Sequence, residues 1–559
     1  MLNQTETLIG RVIVWGCIAT TLLVSPWWTL DPINPIKALA LSIAGFSVLA
    51  VVLVNRRHIP LKQHKFILWL SALFIMWMII VLIFAPASKT QQVFGANGRN
   101  TGLITYTALV ILLVGASMVA RETLLKRFVW IAITMGTISG LYGFLQFSNV
   151  DPINWENPYN PVIGFLGNPN FQSSFLGIAC VMATAFSINS ELGRTKQILL
   201  LSLTMLLLFV IRTTNSQQGF LIFLIGVLVI GYLYIRSKKL RFLSLAYIVL
   251  SLLGLIFTIF GSLNRGPFAS ILYKPSVTYR GDYWRAGWTM TSENPLFGVG
   301  LDSYGTWYRR ARSAEATIRR GPDIVTSAAH NVWLDLSSNG GFILLFLYLL
   351  ILATVLQSIF RILKRSTEFD FTFAAILGAW VAYQAQSIIS INQIGLAIWG
   401  WVLSGLIIGY EINTRGAVSE KSEHSSNKKS LNSRQSLISA STSLAIFVGV
   451  LAGVSLGITP YYQSTKLKTA LDSRDAQSII AAAYLKPLNP AQMIQVASIL
   501  NQNNLNTEAL SVLEDLTQAF PDSYDGWHGM AGIDTASSAQ VTQAIAQMKR
   551  LDPHNPNLK

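Results

Sequence analysis

The stretch "FILLFLYLLILATVL" (342–356) decides the fold class, because its fifteen consecutive residues are uncharged and almost all apolar. With a few flanking residues, such a run is long enough to cross the hydrocarbon core of a membrane as an α-helix, which needs about 20 residues. The preceding stretch, "TSAAHNVWLDLSSNGG" (326–341), places His330 and Asn331 at the edge of the predicted span. A titratable imidazole in that position is costly unless it is hydrated, paired or functional.

Similar apolar runs recur along the whole chain. Of its 559 residues, 52% are hydrophobic and 12% are charged, whereas soluble domains carry about 25% charged residues. We therefore predict an all-α, polytopic membrane protein with about 13 transmembrane helices. The predicted spans lie near residues 8–28, 35–54, 66–85, 102–120, 128–146, 172–190, 198–213, 219–235, 242–262, 340–360, 372–388, 392–410 and 437–459.

Basic residues concentrate in alternate connections between the predicted spans. The numbers of Lys and Arg are four, three, two, four, three and five in the connections 55–65, 121–127, 191–197, 236–241, 361–365 and 411–436. The connection 147–171 has none. Because cytoplasmic connections carry the excess of Lys and Arg, we predict a cytoplasmic N-terminus and an extracytoplasmic C-terminus. Much of the formal charge of +16 thus reflects topology, and we expect no nucleic-acid partner.

One predicted outer connection, residues 263–331, is also basic, with nine Lys or Arg residues against five acidic ones. Long loops cross the membrane regardless of charge, so this excess could be merely tolerated. Alternatively the loop binds an anionic ligand, since the guanidinium group binds phosphate through two parallel hydrogen bonds. The basic residues are Arg265, Lys274, Arg280, Arg285, Arg309, Arg310, Arg312, Arg319 and Arg320.

The composition also predicts a division into domains. Residues 1–459 form the membrane domain, with the large extracytoplasmic loop at 263–339 and a polar cytoplasmic linker at 411–436. Residues 460–559 are polar and helical in pattern, and their prolines Pro490, Pro521 and Pro553 recur at intervals of 31 and 32 residues. This spacing is close to the tetratricopeptide period of about 34. We expect an extracytoplasmic tetratricopeptide-like domain that binds a protein partner or docks on the membrane domain.

Among the chemically reactive groups, His330 is the one histidine that we place at the outer rim of the membrane domain. The sequence contains no HExxH motif, paired Cys/His spacing, Walker loop or dinucleotide fingerprint, so we expect no metal and no cofactor. A histidine can take a proton from an attacking hydroxyl group. Arginines can stabilise a departing pyrophosphate. Alternatively, His330 only caps a helix or bonds a loop carbonyl.

Four sequence motifs, in this order, resemble those of the O-antigen ligase and O-antigen polymerase superfamily. They are "VFGANGRNTGLITY" (93–106), "GFLGNPNFQSSFLG" (164–177), "YRGDYWRAGW" (279–288), and "PLFGVGLDSYG" (295–305) followed by "AHNVWLDLSSNGGFILLFLY" (329–348). The resemblance implies a fold similar to GT-C glycosyltransferases in the bacterial inner membrane. It also implies metal-independent transfer of a glycan from an undecaprenyl-pyrophosphate carrier to an acceptor hydroxyl group. The acceptor can be a sugar, a lipid-linked molecule or a protein.

The resemblance further implies roles for single residues. His330 falls on the general base of the family, and Arg280 falls on its pyrophosphate-binding arginine. A second family arginine has no counterpart, because Gln217 stands at the expected place in "RTTNSQQGF" (212–220) and Arg212 precedes it by five residues. Either could bind pyrophosphate, and we favour Arg212.

Further contacts with pyrophosphate or sugar are expected from other positions. Arg99 could bind pyrophosphate, or it could be an isolated loop charge. Asn168 and Asn170 could bind the glycan, although a turn-forming role with the intervening proline is favoured. The remaining candidates for substrate contacts are Arg285 and Asn331.

Three other functional classes were weighed. A flippase or transporter of lipid-linked glycans would favour charges at mid-membrane and internal repeats, and neither is evident in the sequence. A peptidoglycan-type polymerase would be expected to use an outer-loop aspartate, for which Asp302 and Asp323 are candidates. A scaffold that recruits enzymes through residues 460–559 would not explain the basic loop.

Overall fold

The computed structural model describes residues 2–57, 59–155, 160–273, 275–420 and 440–558. These residues form twenty-three α-helices and three short 3₁₀ turns, and no strand occurs among them. The first ten helices are α1 (Leu2–Leu22), α2 (Asn34–Val54), α3 (Lys65–Phe84), α4 (Lys89–Phe94), α5 (Leu103–Val119), α6 (Glu122–Phe147), α7 (Pro169–Ser187), α8 (Arg194–Thr213), α9 (Gln218–Ser237) and α10 (Arg241–Ser262).

The basic loop and the second half of the chain are helical as well. The loop contains α11 (Ala269–Leu272), α12 (Pro275–Glu293), α13 (Tyr304–Ala311) and α14 (Ala314–Arg320). Long helices follow, namely α15 (Val332–Arg365), α16 (Phe371–Ile389), α17 (Ile394–Glu420) and α18 (Ala440–Ser473). The C-terminal helices are α19 (Ala476–Ala483), α20 (Pro490–Gln502), α21 (Asn506–Ala519), α22 (Tyr524–Ala531) and α23 (Ser538–Leu551).

Ten helices in the described part of the chain are long and apolar enough to cross a membrane. They are α2, α3, α6, α8, α9, α10, α15, α16, α17 and α18. The prediction of an all-α polytopic membrane protein is therefore confirmed. Helices α1, α5 and α7 coincide with predicted spans but are not among these ten. The total of thirteen spans consequently stays a prediction.

Helix α17 lies at the centre of the bundle, with 94% of its apolar segment buried. Its Trp399 is fully buried, and the ring packs against Phe128 of α6 and Phe175 of α7 at centroid distances of 5.2 and 5.4 Å. The indole nitrogen donates a hydrogen bond to the hydroxyl of Thr21 in α1, at 3.0 Å. One aromatic side chain therefore joins four helices and satisfies its only polar atom inside the core.

Helix α15 is broken at Gly341, where the backbone has φ 74° and ψ 179°. The turn 295–300 fits into this break, because the amide of Phe342 donates to the carbonyl of Pro295 and the amide of Val299 donates to the carbonyl of Ser338, both at 2.8 Å. A side chain at position 341 would lie 1.9 Å from the carbonyl oxygen of Leu296. The glycines of "SSNGG" and "GVG" thus permit direct backbone contact between the loop and α15.

The C-terminal helices have a hydrophobic core of their own, which includes Leu467, Leu500, Leu516 and Trp527. Helix α20 packs on α21, and α22 packs on α23. The predicted boundary at 459/460 falls within α18, which continues without a break from the membrane domain. Residues 411–420 of the predicted linker belong to α17, whereas its remaining residues, from 421 onward, lie outside the described residues. The tetratricopeptide assignment stays a prediction.

Candidate active site

His330 lies in a tight turn immediately before α15. Its backbone is in the left-handed region, with φ 53°, which a residue other than glycine adopts only when its surroundings hold it there. The amide of Ala329 donates to Asp335 Oδ1 at 2.8 Å. The side chain of Asn331 caps α15 by accepting from the amides of Trp333 and Leu334 at 3.0 and 3.2 Å. The polar residues around the histidine therefore fix its position.

Arg99 holds the same turn from the other side. Its Nη1 donates to the carbonyl of Ser327 at 2.8 Å, while Nε lies 3.0 Å from Asp302 and Nη2 lies 3.6 Å from Asp335. Burial by itself would lower the pKa of Arg99, but the carboxylates of Asp302 and Asp335 outweigh this and raise it. Two carboxylates neutralise the charge of Arg99, so this residue is poorly suited to attract an anion. Its hydrogen bond to the carbonyl of Ser327 instead helps to position His330.

The imidazole of His330 stacks on Tyr283, with a centroid distance of 5.3 Å and an interplanar angle of 28°. It forms no hydrogen bond with any other described side chain or backbone group. Burial and then the positive charges of Arg280, Arg99 and Arg320 lower the pKa of His330 to about 4. The ring is therefore neutral at pH 7 and retains a lone pair that can accept a proton.

His330 also lines a cavity of about 400 Å³. Arg99 and His330 share its wall with Asp31, the one carboxylate among the described lining residues. Most other polar groups there are uncharged amides, whose carbonyl and NH₂ groups suit the hydroxyl and amide groups of sugars. The amide side chains belong to Asn34, Asn168, Asn170, Gln218, Asn392 and Gln393.

The basic residues of the loop fall into paired and unpaired groups. Carboxylates of the C-terminal domain pair with the arginines at 309–312, and carboxylates of the loop itself pair with Arg285 and Arg319. The ion pairs are Arg309 with Asp525 and Asp552, Arg310 with Asp522, Arg312 with Asp552, Arg285 with Glu315, and Arg319 with Asp282. Arg265, Arg280 and Arg320 have no carboxylate partner among the described residues, and Lys274 lies outside them.

Arg280 and His330, predicted to act together, are close enough for the charge of Arg280 to lower the pKa of His330. Arg280 lies on α12, three residues before Tyr283. Its guanidinium group forms no hydrogen bond within the described part of the chain, and burial lowers its pKa. Arg280 does not line the cavity, but it is an unneutralised cation whose charge reaches the neutral base.

The two candidates for a second phosphate contact do not line the cavity. Arg212 is exposed at the end of α8, where it donates to Asn215 at 3.4 Å. Gln217 is also exposed, whereas its neighbour Gln218, the first residue of α9, is 7% exposed and does line the cavity. Successive residues of a helix point about 100° apart, so the side chains of Gln217 and Gln218 face different surroundings.

The remaining predicted contacts have structural roles. Asn168 caps α7 by accepting from the amide of Asn170 at 2.8 Å, and Asn170 accepts from the hydroxyl of Ser216 at the same distance. Both asparagines also line the cavity. Asn331 caps α15, as described above. The side chain of Arg285 is 59% exposed and pairs with Glu315, so this residue is not brought to the cavity.

Sequence reasoning did not single out several residues of the site, among them Gln218, Tyr283 and Gln393, and it named Arg320 only as one of nine basic loop residues. Gln393 is 5% exposed; its Oε1 accepts from the amide of Leu396, while its Nε2 has no partner among the described groups. Helical spacing offered a signal for Tyr283, which follows Arg280 by three residues and so shares its helix face. No group of three or more His, Cys, Asp or Glu side chains suited to a metal occurs in the described residues.

Comparison with known proteins supports the resemblance drawn from the motifs. Residues 202–349 match the family described as O-antigen ligase. This segment contains Arg280 and His330, but it does not include Arg99 or the asparagines of α7. No curated protein matches the chain. Residues 202–349 are therefore similar to an O-antigen ligase domain, and this similarity supports a function of the O-antigen ligase or polymerase type for a multi-pass membrane protein.

Proposed function

We propose that the protein transfers a glycan from a polyprenyl (undecaprenyl) pyrophosphate carrier to an acceptor hydroxyl group, with His330 as the general base. One observation carries this proposal: an unbonded, neutral imidazole lines a polar cavity and lies near the unpaired cation Arg280. A general base must be deprotonated at the working pH and must reach the attacking hydroxyl. No metal enters the proposed reaction.

The proposed reaction is a single displacement. The acceptor hydroxyl gives its proton to His330, and its oxygen forms a bond to the anomeric carbon of the donor glycan. The bond between that carbon and the pyrophosphate oxygen breaks, its electron pair leaves with the polyprenyl pyrophosphate, and the anomeric centre is inverted. Arg280 stabilises the negative charge of the leaving group, which is the role that a fixed cation performs best.

The lining of the cavity favours a saccharide acceptor. Six amide side chains and one carboxylate surround the described space beside His330, and Gln393 Nε2 is a buried donor without a partner. A buried polar atom without a partner costs free energy, which a bound hydroxyl group would offset. A sugar therefore suits this wall, which is consistent with either a ligase or a polysaccharide polymerase. A protein O-oligosaccharyltransferase of the same superfamily is the alternative.

The contact between the loop and the C-terminal domain supports the proposed topology. Because Arg312 pairs with Asp552 at 2.6 Å, the loop and residues 460–559 must lie on the same side of a membrane. This agrees with a site and a C-terminal domain that are both extracytoplasmic in the bacterial inner membrane, with the N-terminus in the cytoplasm. A protein partner for residues 460–559 remains part of the proposal.

The test uses the full-length protein in lipid nanodiscs with a polyprenyl-pyrophosphate glycan and a saccharide acceptor. We expect His330→Ala to lower the transfer rate by about 10²- to 10⁴-fold, the usual contribution of a general base. His554→Ala is the matched control, because His554 is exposed in the C-terminal domain, and we expect its rate to be unchanged. Equal rates for both variants, at equal thermal stability, would remove His330 from the mechanism.

A further inference from the structure

Arg320 is the last residue of α14, and it differs from its neighbour Arg319 in one respect. Arg319 lies 2.9 and 3.0 Å from the two carboxylate oxygens of Asp282. Arg320 has no carboxylate partner among the described residues, and its Nη1 is buried without a hydrogen-bond partner. Two consecutive arginines thus occupy different environments, one neutralised and one not.

The guanidinium group of Arg320 is nevertheless held in a defined place. It lies over the rings of Tyr279 and Tyr283, at 4.3 and 5.2 Å from their centroids. Cation–π contacts of this kind orient a guanidinium group without using its N–H donors or cancelling its charge. Tyr283 in turn stacks on His330 at 5.3 Å. Tyr283 therefore contacts both Arg320 and the imidazole.

Arg320 and Arg280 together make this part of the loop strongly electropositive. Both are half-buried, both lack a carboxylate partner in the described structure, and both are close enough to His330 to influence its protonation. Positive charges that are partly removed from water and not paired with acids are unfavourable unless an anion joins them. Planar guanidinium groups are well suited to phosphate, because each can form two parallel hydrogen bonds with it.

We propose that Arg320 is the second pyrophosphate-binding residue, so that Arg280 and Arg320 together bind the leaving pyrophosphate beside His330. Tyr279 and Tyr283 hold the Arg320 guanidinium plane, and its free N–H groups bind the phosphate oxygens. This assignment rests on the proposed function, since that reaction supplies the pyrophosphate. It also replaces Arg212 and Gln217, which are exposed at the junction of α8 and α9, whereas Arg320 contacts the ring of Tyr283 that stacks on His330.

Arg319→Gln is the control for Arg320→Gln, because both changes remove one positive charge from the same helix end. We expect Arg320→Gln to weaken binding of inorganic pyrophosphate, measured by calorimetry on the full-length protein, by about 10- to 100-fold, as is typical of a lost charged hydrogen bond. The KM for the donor should rise similarly, whereas the KM for the acceptor should not change. Arg320→Lys should restore only part of the affinity, since lysine cannot bind phosphate in a bidentate manner.

The binding and transfer measurements separate the two proposals. Equal pyrophosphate affinities for Arg320→Gln and Arg319→Gln would overturn the role of Arg320, as would a wild-type protein that does not bind pyrophosphate. A wild-type protein that binds pyrophosphate but transfers no glycan would overturn the proposed function instead. The comparison of the two glutamine variants would then still decide whether Arg320 belongs to an anion site.

Discussion

His330 combines an unusual backbone with a lowered pKa. Its backbone has a φ of 53°, which lies in the left-handed region. Asp335, Asn331 and Arg99 hold the turn in this conformation. Each of these three polar groups uses its hydrogen-bonding capacity on backbone atoms of the turn or the following helix. The imidazole is left free of such bonds, as a base that must bind a substrate hydroxyl requires.

The lowered pKa of His330 makes a prediction about pH. Because burial and nearby arginines lower this pKa to about 4, protonation should inactivate the free enzyme only in strong acid. We expect kcat/KM for the acceptor to stay constant from about pH 7 to about pH 5 and to fall below that, since this parameter reports the free enzyme. An acid limb centred near 6.5, the ordinary value for histidine, would contradict the prediction. Recovery of full activity at pH 7 controls for acid unfolding.

The individual site residues also show how much of the site could be predicted from the sequence alone. His330 and Arg280 were identifiable because they lie within motifs, and the structure brings them close together. Gln217 was named as an alternative to Arg212 and Gln218 was not, because motif spacing does not determine which of two adjacent glutamines a helix turns inward. Arg320 could not be distinguished from the other eight basic loop residues, because whether an arginine is free depends on which carboxylates fold against it. That information is tertiary, since the partner of Arg312 lies 240 residues away.

Among the elements, α15 links the site to the membrane through its break at Gly341. Apolar periodicity predicted the membrane part of α15, but it did not predict that the helix begins at Val332 and includes the polar "SSNGG" segment. Hydropathy does not predict this break, because the break depends on the turn 295–300 being inserted there. Similarly, the change of composition near residue 460 suggested a boundary where α18 in fact continues, since one helix can pass between two environments.

Substitution of Gly341 should disturb the site indirectly, through the backbone of α15. We expect Gly341→Ala to destabilise the protein by more than the ~1–3 kcal/mol typical of a strained backbone position, because the new Cβ would also lie 1.9 Å from the carbonyl oxygen of Leu296. Thermal unfolding in nanodiscs and the transfer rate measure the effect. Gly254→Ala in α10 is the control, since nothing lies within 4 Å of a Cβ there. If both variants unfold at the same temperature, the close approach at Gly341 is not a constraint.

At the scale of the whole molecule, the C-terminal domain is fastened to the loop that carries the site. The side chains of Arg312 and Asp552 are 1% and 0% exposed and lie 2.6 Å apart. Residues 460–559 were expected either to bind a partner or to dock on the membrane domain, and the structure shows docking on the loop. The excess positive charge at 309–312 is thereby neutralised within the chain, which loop composition alone could not reveal.

Removal of the buried carboxylate should have a larger effect than removal of an exposed one. We expect Asp552→Asn to lower the free energy of unfolding by about 3–5 kcal/mol, because it leaves a buried arginine without its counter-charge. Asp522→Asn should cost only about 0–1 kcal/mol, since Asp522 is 39% exposed where it pairs with Arg310. Thermal unfolding and limited proteolysis of the loop distinguish the two variants. Equal stabilities would show that the Arg312–Asp552 contact does not fasten the domain.

The contact between Arg312 and Asp552 also has a consequence for biosynthesis. The ribosome makes Arg312 240 residues before Asp552, and during that interval α15 to α18 must be inserted while the loop lacks its carboxylate partner. Domains generally fold as they emerge, from the N-terminal side, but this loop cannot complete its packing in that order. The nascent protein therefore carries a loop with an unpaired Arg312 throughout membrane insertion, and this contact forms only when the C-terminal helices have been made.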